Sequence, residues 1–436
     1  MRLRVYQSGK GDCLLLTSAD GHHMLVDGGM PDAYVDHVAA AMGDLAAAGE
    51  QLDLVYVSHI DQDHVGGVLR LFDDAVAWRV FDFQTANGNP AFPAPKRPRP
   101  PEVGKVWHNA FAEQIGRNAG AIGNLLAASA AALSGADEDE LIDLAGRHAD
   151  LSTSINEAIR LSRRLDAEQL GIPTNPEFGG RLAMVRDEVQ SFPLGGVDLT
   201  LIGPFARDLR RLRTEWNQWL RDNKKALADI REDAERDAER LEASELDRAL
   251  FPFLEEAKKL GERAYVTAPN LASIMLLADE AGTTVLLTGD GHRDDILAGL
   301  KAAGRLQAGG GLHVEVLKVQ HHGSENNIDD DFCQTITADD YVFCGNGEHE
   351  NPDLDVLRAI LRSRLGTASE RSANPEVGQP FRFWFNSSSS ATTKAPAIAH
   401  MKAVESLVAK AVQSSAGAMT ATFLDAQPSF DVLAGP

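Results

Sequence analysis

The chain is short of cysteine, of positive charge and of long apolar runs. Its 436 residues include three cysteines, Cys13, Cys333 and Cys344. That odd number, at those spacings, suits neither a disulfide framework nor a C-x-x-C zinc clip. No apolar run approaches the roughly 20 residues of a membrane span. The opening MRLRVYQSGKGDC has no apolar segment of the signal-peptide kind. The expected location is therefore the cytoplasm, with no membrane partner. Lys and Arg number 42 against 64 Asp and Glu, a formal charge of −22. A field of that sign repels polyanions and argues against broad electrostatic binding of duplex nucleic acid. A local basic groove stays open. What is present, 44% hydrophobic and 24% charged residues, is the composition of a globular protein with a large core.

Strand and helix patterns alternate over the first 85 residues. LRVYQ and CLLLTS are split by the turn-rich SGKGD, and MLVDGG ends in Asp27-Gly28-Gly29. Residues 34–49 have helical spacing, LDLVYVSH reads as a buried strand, VGGVLRLF as a helix and VAWRVFDF as a strand. The proline-rich 86–105 breaks this pattern, and residues 106–183 read as largely helical. A second helical stretch, about 206–263, carries dense mixed charge. It reads as a solvated hairpin with i,i+4 pairs, or as a clamp using Arg210, Arg211 and Arg213 over a negative substrate. Strands return in SIMLLAD and TTVLLTGD, in VEVLKVQHHGS, YVFCGN and FRFWFN, followed by SSSSATTKAP and a helix HMKAVESLVAKAVQ. The expected organisation is a core from 1–85, 184–204 and 264–386, with insertions at 86–183 and 205–263. Residues 387–436 form a serine-rich linker and C-terminal helix outside that core.

The stretch SHIDQDHVGG places His59, Asp61, Asp63 and His64 within six residues, at the end of a strand. Imidazole and carboxylate together suit Zn²⁺, Mn²⁺ or Fe. Four ligand-type residues exceed what one tetrahedral ion needs from one segment, which points to two ions about 3.5–4 Å apart. LLTGD and LKVQHHGS then put Asp290 and His321-His322 at the ends of apolar strands, where no packing reason calls for them.

In that order, DGG, HxDxDH, TGD and HHGS resemble the metallo-β-lactamase superfamily of metallohydrolases. The HxDxDH variant, with Asn270 to Ser273 and LKVxHHGS, resembles the soluble hydrolase domain of DNA-uptake competence channel proteins and its free-standing relatives. The resemblance implies an α/β fold, a four-layer αββα sandwich. It implies one metal at His59 and Asp61, a second at Asp63, His64 and His322, and Asp290 bridging both, the ions being Zn²⁺ or Mn²⁺. The superfamily's further histidine for the first ion is replaced by PNLAS, so that site is expected to be oxygen-rich and open. A metal-bridging hydroxide would attack, with Asp63 orienting it. His321 would donate to an oxyanion or leaving group, or support a ligand. His349, Asn270 and Ser273 are the expected substrate-facing residues. Lys318 is expected to point away from the site or to snorkel, His22 and His23 to be exposed, and His292 to start a helix. His108 reads as a site residue or as packing beside a tryptophan.

The expected activity is that of a phosphodiesterase or nuclease acting on a phosphodiester such as single-stranded nucleic acid. A small non-nucleotide ester, of phosphocholine type or a lactone, is the alternative substrate. A third reading makes the protein the hydrolase component of a multi-protein system, such as a defence system, whose insertions dock a protein partner or a second copy.

Overall fold

The computed structural model describes residues 1–109, 157, 159–186, 188–206 and 273–433. Most of the two expected insertions, with Arg210, Arg211, Arg213 and Asn270, lies outside these.

Two sheets face each other. The first has the order β14-β1-β2-β3-β4-β5, with β1 (Arg2–Tyr6), β2 (Leu14–Thr17), β3 (His23–Val26), β4 (Leu54–Val57), β5 (Val106–His108) and β14 (Ser429–Leu433). The second has the order β13-β12-β11-β10-β9-β8-β7-β6. Its strands are β6 (Ser191–Leu194), β7 (Val197–Gly203), β8 (Met275–Glu280), β9 (Thr283–Leu287), β10 (Leu312–Lys318), β11 (Ile336–Phe343), β12 (Phe381–Phe385) and β13 (Met419–Phe423). Helices α1 (Ala39–Ala47) and α2 (Gln62–Ala86) cover the first sheet. The second is covered by α3 (Arg293–Ala302), α4 (Asp330–Thr335), α5 (Leu354–Leu365) and α6 (Ala395–Ser414). The result is an αββα sandwich.

Strand sequence follows this layering. In β4, Leu54 and Tyr56 enter the core between the sheets, while Val55 and Val57 meet α1 and α2. Both faces are covered, so the strand reads LVYV without alternation. The same holds for β9 and β10, where Val285 and Val316 face the other sheet and Leu286 and Leu317 face the helices.

Three expected elements differ. VAWRVFDF continues α2 instead of forming a strand, because nothing breaks the helix before Asn87-Gly88. Its aromatic and β-branched residues invited the strand reading. Val106–His108 pairs in parallel with β4, although that segment read as helical. The C-terminal stretch is not outside the core. After α6 it adds β13 beside β12 and β14 beside β1, one edge strand to each sheet.

The topology gathers strand ends. β3 and β4 run parallel in one sheet, and β9 and β10 in the other. Asp27, His59, Asp290 and His321-His322 follow their carboxyl ends, the usual place for a site in such sheets.

Candidate metal centre

The loop after β4 leads directly into α2. Asp61 is the residue before the helix, and Asp63 and His64 lie in its first turn, where negative charge meets the positive helix end. Close backbone approach fixes this turn. Gly67 N donates to Gly29 O at 2.9 Å and Gly28 N to His64 O at 2.8 Å. A Cβ on Gly67 would lie 1.9 Å from Gly28 O. On the other side, a Cβ on Gly11 would lie 1.7 Å from Asp63 O, so the SGKGD turn also packs flush against the loop.

Four histidines surround the Asp290 carboxylate. From it, His59 Nε2 is 3.5 Å away, His64 Nε2 3.4 Å, His322 Nε2 3.5 Å and His321 Nε2 3.7 Å. These distances are too long for charge-assisted hydrogen bonds, which run about 2.7–2.9 Å.

The far ring nitrogens explain the orientation. His64 Nδ1 donates to Asp27 Oδ2 at 2.9 Å. Ser58 Oγ donates to Asp27 Oδ2 at 2.6 Å and is 3.0 Å from His59 Nδ1, from which it accepts. Asn327 Nδ2 donates to the carbonyls of Asp290 and Gly291, so its Oδ1 faces His321 Nδ1 at 2.6 Å as an acceptor. His322 Nδ1 lies 3.3 Å from Asp12 Oδ1. His59, His64 and His321 thus direct an Nδ1 proton away from the centre and turn Nε2 toward Asp290, while His322 Nδ1 is buried near Asp12 without a hydrogen-bond partner. Metal-ligating histidines are held in this way.

Two donor sets result, sharing Asp290. One comprises His64, His322, Asp63 and Asp290. Its Nε2 atoms are 3.4 Å apart, and His322 Nε2 is 3.3 Å from Asp63 Oδ2. A tetrahedral ion with bonds near 2.0–2.1 Å separates its ligands by about 3.3 Å, so the set fits an ion. The other comprises His59, Asp61, Asp290 and His321, with His59 Nε2 3.7 Å from Asp61 Oδ2. His59 Nε2 and Asp290 Oδ1 are buried without a hydrogen-bond partner, as expected of atoms meant for a cation.

Asp12 also lies close: it, His64, Asp290 and His322 each bring a ligand-type atom within 4.8 Å of the others. Asp12, however, stands behind the imidazoles, on their Nδ1 sides, and contacts Lys318.

Protein charges alone polarise the cluster. Burial, then the charge of His64, depresses His59 to about 3. Burial and the neighbouring Asp63 and Asp290 push Asp61 up to about 7. For His322, burial acts downward, but Asp290, Asp12 and Asp63 outweigh it and carry it to about 9. Burial likewise opposes ionisation of Asp63, yet His322 and His64 hold it well below the usual carboxylate range. Such displacement in opposite directions within one cleft marks a functional site.

The other sequence-derived residues fall as follows. Ser273 is buried beside Gly289, its Oγ without a partner. His349 is exposed on the turn Glu348–Glu350 after β11, outside the cluster. Lys10 acts electrostatically on Asp61, Asp63 and Glu348. His108 is buried, its ring without a hydrogen-bond partner. His292 precedes α3 and its ring accepts from Asp294 N. His23 is buried against Thr17 and Glu50, not exposed, because the β2–β3 pairing turns it inward. Lys318 does not point away: it is 1% exposed and reaches Asp12. Asp12, Asp27, Ser58 and Asn327 were not singled out in the sequence. DGG entered only as a motif of the resemblance, with no role for Asp27, and SGKGD read only as a turn; the roles of these residues depend on which ring nitrogen they meet.

An αββα sandwich with histidines and aspartates converging from parallel strand ends is the build of a metal-dependent hydrolase. Residues 8–77, which hold the SGKGD turn, DGG and the complete HxDxDH loop, match the family model of the metallo-beta-lactamase superfamily. No curated protein matches the chain at a significant level. The fold is of the metallo-β-lactamase type, and no helix among the described residues is long and apolar enough to cross a membrane.

Proposed function

We propose that this protein is a two-metal phosphodiesterase. The observation that carries the reading is the pair of donor sets sharing Asp290, each with two imidazole nitrogens and carboxylates. Zn²⁺ or Mn²⁺ suits such sets. When bound, a pair of ions supplies an activated water and neutralises charge on the oxygens of a phosphodiester.

The protein's own contribution is orientation. Asp27, Ser58 and Asn327 fix three ring tautomers before any ligand arrives. His321 joins the donor set of His59 and Asp61, supplying the nitrogen that PNLAS lacks. Its Nδ1 proton is committed to Asn327, so the neutral ring has no N–H left on the Asp290 side for an oxyanion. Asp61, partly exposed beside His59, offers its carboxylate to the same ion. Asp63 faces His322 and stays ionised. Lys10 offers a positive charge near Asp61 and Asp63 for an anionic substrate, with the exposed His349 as a further substrate-facing position; the buried Ser273 is not one. The substrate we favour is single-stranded nucleic acid or a small phosphodiester, and the expected compartment is the cytoplasm.

The test is hydrolysis of an aryl phosphodiester and of labelled single-stranded DNA, with metal removed and with Mn²⁺ or Zn²⁺ restored. Metal-dependent turnover that is lost in Asp63→Ala supports the reading. Turnover of lactones or carboxylic esters in place of both substrates would overturn it.

A further inference from the structure

Behind the donor sets lies a buried cation that the hydrolysis does not use. Lys318 ends β10, where its side chain is 2% exposed and meets an Asp12 side chain that is 1% exposed. Its Nζ contacts the Asp12 carboxylate, donates to Gly289 O at 3.1 Å and stands 4.0 Å from Asp290 Oδ1. Asp12 continues the line, 3.3 Å from Nδ1 of His322 and 3.8 Å from Nδ1 of His64. A lysine thus reaches, through one carboxylate, the backs of two rings that present their Nε2 to the centre.

Charge counting gives this line a purpose. Asp12, Asp27, Asp61, Asp63 and Asp290 bring five carboxylates to one cluster, where unbalanced charge is costly. Two divalent ions supply four positive charges, and the Lys318 ammonium supplies the fifth. The ammonium also decides what Asp12 does. Paired with Lys318, Asp12 is drawn behind His322 as an orienting partner. Unpaired, it would be one more anionic donor beside His64, His322 and Asp290, within reach of an ion.

We propose that Lys318 is a positioning residue, an internal counter-ion that holds Asp12 out of the metal set and weakens the affinity of the centre for its ions. The proposal rests on the two-ion reading. It predicts effects of opposite sign. Lys318→Met leaves an unbalanced carboxylate beside the centre and tightens metal binding by about tenfold or more. Asp12→Asn leaves an unbalanced ammonium near Asp290 and removes a partner of His322, which weakens binding about 10–100-fold. The double variant Asp12→Asn/Lys318→Met removes both charges and returns the affinity toward that of the wild type.

The experiment is competition for Zn²⁺, and separately Mn²⁺, against a chromophoric chelator, with folding of each variant checked by circular dichroism. A role in packing alone weakens binding in both single variants and gives no recovery in the double, and that result would overturn the proposal. Lys318→Gln stands in if the methionine variant does not fold. The number of ions held by the wild type at saturation is read in the same titration. A single ion there refutes the two-ion reading, whereas the sign of the affinity change judges Lys318.

Discussion

Asp27 decides the geometry of two other side chains. Its carboxylate accepts from His64 Nδ1 at 2.9 Å and from Ser58 Oγ at 2.6 Å, and Ser58 accepts from His59. Asp27→Asn keeps the shape but leaves one fewer acceptor, so one of the two rings loses its fixed tautomer. Metal affinity is expected to fall about 10–100-fold, measured by chelator competition, with little change in the far-UV spectrum. Unchanged affinity would show that these rings are not held for a metal. His108 allows a separate prediction on pH. Its ring is buried without a partner, and burial lowers its pKa from 6.5 to about 4. The unfolded chain takes up this proton below about pH 6.5 while the folded protein refuses it. The stabilisation is therefore complete above about pH 6.5 and is lost as pH falls toward 4, by at most about 3 kcal/mol. Urea unfolding of wild type and His108→Leu across that range should show the wild-type stability falling relative to that of the variant as pH falls. Parallel curves would contradict the assignment.

At the scale of elements, the α2 N-terminus and the C-terminal strands carry the site from opposite sides. Gly67→Ala would drive a methyl group into Gly28 O and push the helix start, with His64, off Asp27. Thermal unfolding should shift down by several degrees, and a cost of about 2 kcal/mol or more is the usual scale for such overpacking. Removal of residues 416–436 takes away β13 and β14, together with the pairing of Arg4 with Asp431 and the hydrogen bond from Gln7 N to Pro428 O. It exposes two sheet edges and loosens the start of the SGKGD turn. The truncated protein should aggregate or lose cooperative unfolding; a stable monomer with full metal content would contradict this reading. Much of the site was legible in the sequence because ligand residues at strand ends have no packing explanation. His59, His64 and His322 lie 3.4–3.5 Å from Asp290, with Asp61 beside His59 and Asp63 beside His322. The partners Asp12 and Asn327 were not legible, since a carboxylate in a turn and an amide in a loop look like ordinary turn chemistry. β13 and β14 were missed for a related reason: short edge strands such as MTATF and SFDVL have weak alternation and gain their identity from pairing. The reading of Lys318 failed because a buried lysine is rare unless paired, and its partner Asp12 lies 306 positions earlier in the chain.

For the whole molecule, charge sets the terms of encounter. A formal charge of −22 opposes the approach of an anionic substrate, and salt screens that repulsion over a distance of about 8–10 Å near physiological ionic strength. kcat/KM for single-stranded DNA should therefore rise as salt increases from about 10 to 150 mM, more steeply than that for a singly charged aryl phosphodiester; a steep fall with salt would reveal a basic groove that dominates binding. The central claim, that Asp290 joins two ion sites, is tested most directly by counting metal. Purified wild-type protein, saturated with Zn²⁺ or Mn²⁺ and freed of loosely held ions, should carry two ions per chain by mass spectrometry of the metals. Asp290→Ala, folded by circular dichroism, should carry fewer than one. A saturated wild type with a single ion, or an Asp290→Ala protein that keeps two, would contradict the account.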